Sequence, residues 1–118
     1  MYLQSMGTIT NLFDWLSRRS SARPAIVLTA IGFSAGDGHV AWQSVAEIWG
    51  CKADRCTTDE AFLEFVAAGQ RITISEEQPG FEVFERAMIA AFPATAAWRD
   101  AVLMPPFAAN RTLLYRRG

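Results

Sequence analysis

Histidine and cysteine are the side chains of this sequence best suited to nucleophilic or acid–base chemistry. His39 is the only histidine, and Cys51 and Cys56 are the two cysteines. A cysteine nucleophile needs a base such as histidine beside it, and the spacing of these residues does not favour such a pair. No serine lies in a G-x-S-x-G elbow either. The sequence therefore predicts no catalytic residues.

Metal ligation would draw on the same residues together with nearby carboxylates. The available ligands are His39, Cys51, Asp54, Cys56 and Asp59. They form neither a C-x-x-C pair nor an H-E-x-x-H motif, the spacings that bring several ligands to one ion. We expect no metal site and no cofactor.

Carboxylates could serve as catalytic or ligand-binding groups. Asp54, Asp59 and Glu76 could surround a pocket and act as acids and bases or hold a ligand. Glu76 and Glu77 also precede a predicted helix, where a carboxylate usually stabilises the helix N-terminus. A small enzyme or ligand-binding protein with a carboxylate-lined pocket is thus an alternative function.

The glycine-rich segment 32–38 is typical of a hairpin turn rather than a phosphate-binding loop. It lacks the lysine of a Walker loop and the G-x-G-x-x-G spacing before a helix. Asp37-Gly38 is a favourable hairpin dipeptide, so the next strand is expected to start at His39.

Composition indicates one globular domain over residues 1–118, with residues 1–6 as a loose leader. The chain is 51% hydrophobic, enough for a single core. The longest nearly uncharged stretch, 24–35, is about half the length of a membrane-spanning helix. The two cysteines are expected to be free thiols. We therefore expect a cytoplasmic protein with no membrane contact.

The net charge of −1 is unevenly distributed along the chain. Residues 37–100 hold 11 acidic and 5 basic residues, whereas both ends are basic. An acidic middle disfavours nucleic acid as the partner, although the two basic ends could meet in space and form one patch.

Hydrophobic periodicity predicts a helix at the start of the chain and helices near its end. An amphipathic helix is expected over 10–19, followed by a strand over 25–31 that is buried on both faces or lies in the middle of the sheet. Apolar residues from Phe81 to Phe92 recur at helical steps. Thr95 can cap a second helix, and the tail 112–115 is expected to be extended and docked on the domain rather than free.

Two segments fit both a helix and a strand. In 40–52, alternation groups Val45 with Glu47, Trp49 and Cys51 on one side, whereas helical spacing groups Trp42, Val45, Ile48 and Trp49. Residues 57–69 match a capping box with a glycine C-cap. However, a short glycine-containing connection separates 61–66 from the alternating run 71–75. We interpret these two runs as a β-hairpin.

These elements predict an α+β domain. We expect an antiparallel sheet of four to five strands with an N-terminal helix and two C-terminal helices packed on it. The helix residues facing that sheet would be Phe81, Phe84, Met88 and Phe92.

Four tryptophans are many for a chain of 118 residues: Trp15, Trp42, Trp49 and Trp98. Each could belong to the core or anchor an interface. Exposure of one or two of them would favour a protein-binding surface.

A series of landmarks runs from Val40 to Arg117: Trp42-x-x-Val45-x-x-Ile48, Lys52-x-Asp54, Thr57-Thr58-Asp59-Glu60, Leu63-Glu64-Phe65, Glu76-Glu77-x-Pro79-Gly80-Phe81, Phe92-Pro93, Trp98, and Pro106-Phe107-Ala108-Ala109-Asn110-x-Thr112. Their order resembles a family of small uncharacterised bacterial proteins of the immunity type, which act beside toxins. It is also similar to bacterial pleckstrin-homology-like modules, a likeness of fold alone. The resemblance implies neither a reaction nor a ligand.

Five of the polar landmarks have no obvious role in the hydrophobic core: Lys52, Asp54, Asp59, Glu76 and Asn110. If the hairpins stack as expected, the first three lie near one end of the sheet, where they bind a partner or pair with one another. Together with Trp49 as a candidate interface anchor, they form the predicted binding set.

The favoured function is a non-catalytic protein-binding module of the immunity type, with a protein as its partner. The tryptophan count, the acidic middle and the lack of a catalytic set motivate this prediction. A third possibility is a homodimeric structural domain, joined through a sheet edge or an apolar helix face.

Overall fold

The computed structural model describes residues 23–54, 59–103 and 110–118, with only the backbone of residues 53, 54 and 59. The predicted helix over 10–19, the leader 1–6, Trp15 and Cys56 lie outside these ranges.

Within these ranges the chain forms seven strands, two α-helices and two short 3-10 turns. In chain order they are β1 (Ile26–Leu28), β2 (Gly32–Ala35), β3 (Gly38–Ala41), the 3-10 turn Trp42–Ser44, β4 (Val45–Asp54), β5 (Asp59–Ala67), β6 (Gln70–Ser75), α1 (Phe81–Ala91), the 3-10 turn Pro93–Thr95, α2 (Trp98–Leu103) and β7 (Asn110–Arg116).

The strands form two antiparallel sheets. One contains β1, β2 and β3, and the other has the order β6-β5-β4-β7. The prediction of a single sheet of four to five strands, with an N-terminal helix and two C-terminal helices packed on it, is therefore wrong. The 3-10 turn Trp42–Ser44 separates β3 from β4. In addition, the tail is not merely extended but pairs with β4 as a strand.

The predicted strand over 25–31 is shorter and more exposed than expected. β1 ends at Leu28, and Val27 is 55% exposed, so the predicted burial on both faces is wrong. Thr29 ends the strand because its Oγ1 accepts a hydrogen bond from Gly32 N at 2.9 Å and closes a turn. A Cβ at Gly32 would lie 1.8 Å from the Val40 carbonyl oxygen, so only glycine allows β2 to begin there.

The two predicted hairpins are confirmed. Gly36 and Asp37 form the first turn, with Gly36 at φ 60°, and β3 begins at Gly38, one residue earlier than expected. Ala68 and Gly69 form the second turn with φ angles of 49° and 78°. Two positive φ angles in a two-residue turn are typical of the type I′ hairpin, whose twist matches that of the strands.

Aromatic rings join both sheets to α1. The Phe33 ring of β2 lies 5.1 Å from the Phe65 ring of β5 and 4.8 Å from the Phe84 ring of α1, in edge-to-face geometry. Such pairs contribute about 0.5–1.5 kcal/mol each beyond their buried area. We call the face of the four-stranded sheet that contacts this core the inner face, and the opposite face the outer face.

Candidate functional site

β4 places different chemistry on the two faces of the four-stranded sheet. Three of its residues are buried on the inner face: Ile48, Gly50 and Lys52. Glu47, Trp49 and Cys51 are half-buried on the outer face. A β-bulge between Val45 and Glu47 shifts the alternation, and Val45 is fully buried. The grouping that strand alternation gives is thus wrong for Val45 and confirmed for Glu47, Trp49 and Cys51.

Trp49 lies at the centre of a polar cluster on the outer face. The Arg111 guanidinium covers its indole, with Cζ 3.7 Å from the ring centroid. Trp49 Nε1 donates a hydrogen bond to Glu47 Oε1 at 2.8 Å. Arg111 belongs to β7, which pairs with β4. In this pairing Leu113, two residues after Arg111, lies opposite Trp49. The cation–π contact and the hydrogen bond together fix the orientation of the indole.

Ion pairs extend this cluster to two further strands, β5 and β6. Arg111 Nη2 lies 3.1 Å from Glu64 Oε1, which also accepts Arg71 Nη1 at 3.7 Å. Arg116 Nε lies 3.3 Å from Glu47 Oε2. We call the following residues the Trp49 face: Glu47, Trp49, Cys51, Glu64, Arg71, Arg111, Leu113 and Arg116.

The Trp49 face presents positive charge to solvent. The side chains of Arg71 and Arg116 are each 60% exposed, whereas that of Glu64 is 19% exposed. The carboxylates therefore lie below the guanidinium groups, and the three arginines outnumber the two glutamates. Exposed ion pairs of this kind add little stability, typically 0 to about 1 kcal/mol each, so folding alone gives little reason for the arrangement.

The environment changes the acidity of two groups on this face. The hydrogen bond from Trp49, aided by Arg116, holds the pKa of Glu47 below its ordinary value. Burial, followed by the neighbouring Glu64 carboxylate, raises the pKa of the Cys51 thiol to about 11. Glu47 is thus charged and Cys51 protonated at neutral pH, which makes Cys51 a poor nucleophile.

Five of the six predicted binding residues lie at one end of the four-stranded sheet. Asp54 and Asp59 are directly opposite each other in the backbone register, and Lys52 is paired with Asn110. The Glu76 backbone N bonds to Ala61 O at the same end. The predicted proximity of Lys52, Asp54 and Asp59 is therefore confirmed for their backbones, and their role in binding stays a prediction.

Two of these residues, Lys52 and Asn110, attach α2 to the sheet. The Lys52 ammonium, on a residue only 3% exposed, donates to Leu103 O at 3.1 Å. Asn110 Nδ2 donates to Ala101 O and to Val102 O, both at 3.1 Å. These carbonyls belong to the last turn of a helix, where donors satisfy groups that have no partner within the helix.

Glu76 also contributes to the position of α2. Its Oε1 accepts a hydrogen bond from Arg99 Nη1 at 2.6 Å, and its Oε2 accepts one from Ala61 N at 3.1 Å. Glu76 thereby connects the end of β6 with α2 and the start of β5. Its contacts are those of a structural ion pair rather than of a pocket carboxylate.

The other described tryptophans contact the core. Trp98 is 1% exposed, and its Nε1 donates to Glu85 Oε2 at 2.7 Å. The half-buried Trp42 ring packs against Phe33 at 5.3 Å between centroids. Trp49 differs from both because its ring contacts lie on the outer face.

A buried network at the start of β5 has no signal in the sequence. Glu60 Oε2 accepts hydrogen bonds from Arg23 Nη1 at 2.5 Å and from Ser75 Oγ at 2.7 Å. Gln78 Oε1 accepts one from Ser75 N at 2.7 Å. These contacts hold the segment at Arg23 against the β5–β6 hairpin.

Among the clefts lined by described residues are two that have no Asp or Glu in their lining. One, of about 270 Å³, lies between Pro24 and β6, and the other, of about 310 Å³, lies beside Ile31 and Trp42. Among the side chains that the structure describes, no three metal-ligating residues converge. His39 and Cys51 lie on strands of different sheets.

Neither α1 nor α2 is long and apolar enough to cross a membrane, and the described ranges contain no other helix that could. No protein-family model, curated protein or solved structure matches this chain.

Proposed function

We propose that this protein is a non-catalytic protein-binding module and that the Trp49 face is its binding surface. The observation that carries the proposal is the half-exposed Trp49 indole, held by Arg111 and Glu47 on an outer sheet face. Tryptophan and arginine dominate the binding energy of protein interfaces. Because both side chains are already ordered, little conformational entropy would be lost on binding.

The chemistry of the described polar groups favours binding over catalysis. Cys51 has too high a pKa to supply a thiolate at neutral pH. Glu76 and Glu60 form ion pairs with Arg99 and Arg23, and neither lines either of the two clefts described above. A carboxylate-lined pocket is accordingly the less well supported function.

An immunity-type role is one form of the proposed function. In that form the partner is a toxin, and the protein acts in the cytoplasm. The resemblance described for residues 40–117 supports this form, and the free thiol of Cys51 is consistent with a reducing compartment. A toxin-like gene next to the gene of this protein would support it further.

The test is the affinity of a native partner for the Trp49→Ala variant. Proteins retained by the wild-type protein from cells of its source are identified by mass spectrometry, produced pure and titrated by calorimetry. Truncating an interface anchor removes about 2 kcal/mol or more. We therefore expect Trp49→Ala to raise Kd at least about 30-fold.

Val83→Ala is the matched control, because Val83 is an exposed apolar residue of α1, away from the Trp49 face. We expect this variant to bind as the wild type does. Unchanged affinity of Trp49→Ala, with circular dichroism showing that it is folded, would contradict the proposal. So would a partner whose affinity falls equally in both variants.

A further inference from the structure

β7 is an edge strand with an unpaired side. It pairs with β4, and no second strand within the described ranges pairs with it. The N–H and C=O groups of such an edge can pair with another extended chain. β6, the other edge, borders the cleft lined also by Pro24 and Ala35.

The β7 edge is also basic. Arg111 and Arg116 lie in β7 and Arg117 follows it, whereas residues 110–118 include no Asp or Glu. The side chains of Arg111 and Arg116 are 42% and 60% exposed. Their glutamate partners lie on β5 and β4, on the side of β7 away from its free edge. A chain that adds to this edge therefore lies next to a strand of net positive charge.

We infer that the partner contributes an acidic extended segment that adds to β7 as a fifth strand of this sheet. The inference rests on the proposed protein-binding function and specifies the chemistry of the partner. Neighbouring side chains on paired strands lie about 4.5–5.5 Å apart. Carboxylates of the added strand would therefore lie beside Arg111 and Arg116, and an apolar residue beside Leu113.

The added strand would extend the Trp49 face. Leu113 lies opposite Trp49 in the register of β4 and β7, and it is 37% exposed although apolar. A residue of the added strand that packs on Leu113 would shield it from solvent. The acidic strand and the indole would thus form one continuous interface with the partner.

A second copy of this chain fits the same edge poorly. If two β7 strands paired antiparallel over residues 111–116, Arg111 of each copy would lie opposite Arg116 of the other. Like charges directly opposite each other destabilise a strand pair. An acidic strand places opposite charges at the same positions.

Nucleic acid also fits this surface poorly. Base stacking needs a free aromatic face, and the Arg111 guanidinium covers one face of the Trp49 ring. This observation favours a protein segment.

The probe is a synthetic peptide of about ten residues, long enough to match one strand, in which Glu and Val alternate with Thr. A peptide with Lys in place of Glu is its matched control. Binding to the full-length ¹⁵N-labelled protein is followed by NMR shifts and amide exchange. We expect the acidic peptide to shift and protect the amides of Asn110–Arg116. We also expect it to bind at least about tenfold more tightly than the lysine peptide.

Charge reversal tests the role of the arginines. The double variant Arg111→Glu with Arg116→Glu should prefer the lysine peptide, whereas Arg86→Glu, an equal change at an exposed position of α1, should keep the wild-type preference. Backbone pairing is tested with two acidic peptides, one N-methylated at its odd-numbered residues and the other at its even-numbered residues. N-methylation should abolish the binding of one of the two peptides. Equal binding of both would overturn the inference.

Three further results would overturn it: no binding of the acidic peptide up to about 1 mM, tighter binding of a single-stranded oligothymidine, or self-association that protects β7. None of these changes the expected effect of Trp49→Ala on the native partner. The failure of this inference is therefore distinguishable from the failure of the proposed function.

Discussion

Cys51 illustrates how neighbours in the fold set the chemistry of one residue. The pKa of its thiol is raised to about 11, first by burial and then by the Glu64 carboxylate, which disfavours a nearby thiolate. Arg111 acts in the opposite direction without reversing the shift. A residue that the sequence marks as a possible nucleophile is thus held in its unreactive form.

We predict that Glu64→Gln lowers the pKa of Cys51 and speeds its alkylation, because the substitution removes a negative charge beside the thiol. The measurement is the rate of iodoacetamide labelling of the Cys51 peptide against pH, followed by mass spectrometry. The wild-type rate should still be rising toward pH 11. Glu82→Gln, an exposed change on α1, should leave the profile unchanged. A wild-type midpoint near the ordinary value of about 8.5 would contradict the prediction.

Residue type alone predicts the location of polar residues better than their role. Lys52, Glu76 and Asn110 suit a binding surface, and the sequence correctly groups Lys52 with Asp54 and Asp59 near one sheet end. The same donor and acceptor groups also suit the end of a helix. Only the contacts of Lys52 and Asn110 with α2 show the structural role, and no local pattern of the sequence encodes those contacts.

At the scale of elements, close packing of α2 on β4 depends on Gly50. A Cβ at this position would lie 2.5 Å from Val102 Cγ1 and 3.2 Å from Leu114 Cδ1. Val102 is fully buried and its side chain is short and branched, so it has little freedom to move away. Glycine therefore sets the distance between the helix and the sheet.

We predict that Gly50→Ala lowers the free energy of unfolding by about 1–3 kcal/mol, the usual effect of overpacking a core. Urea unfolding measures the change. Adding Val102→Ala should make the double variant less destabilised than the sum of the two single changes, because the smaller side chain makes room for the new methyl group. Gly118→Ala, at a position with no heavy atom within 4 Å, is the control. Strict additivity would count against this packing account.

The elements that the sequence predicts correctly are those defined by local periodicity. α1 follows from apolar residues at helical steps, and the β5–β6 hairpin follows from two alternating runs around a glycine. The division into two sheets has no such signal, because it depends on the short 3-10 turn Trp42–Ser44. The sequence predicts the tail as extended and docked chain, but not its pairing with β4, because β4 is distant in sequence.

At the scale of the whole molecule, the Trp49 face is assembled from residues far apart in the chain. Arg116 and Glu47 are 69 residues apart, and Arg111 and Glu64 are 47 residues apart. Composition indicates an acidic middle with basic ends. Because β7 pairs with β4, arginines from the basic end lie above glutamates from the acidic middle. Charge patterning along the sequence therefore suggests the two components of this surface but not their contact.

Hydrogen–deuterium exchange of the full-length protein, alone and saturated with its purified native partner, tests the binding surface most directly. We predict that the partner slows exchange in β4 and β7 and leaves α1 and the three-stranded sheet unchanged. Protection confined to β1–β3 or to α1, with β4 and β7 exchanging as in the free protein, would contradict the claim that the Trp49 face binds the partner.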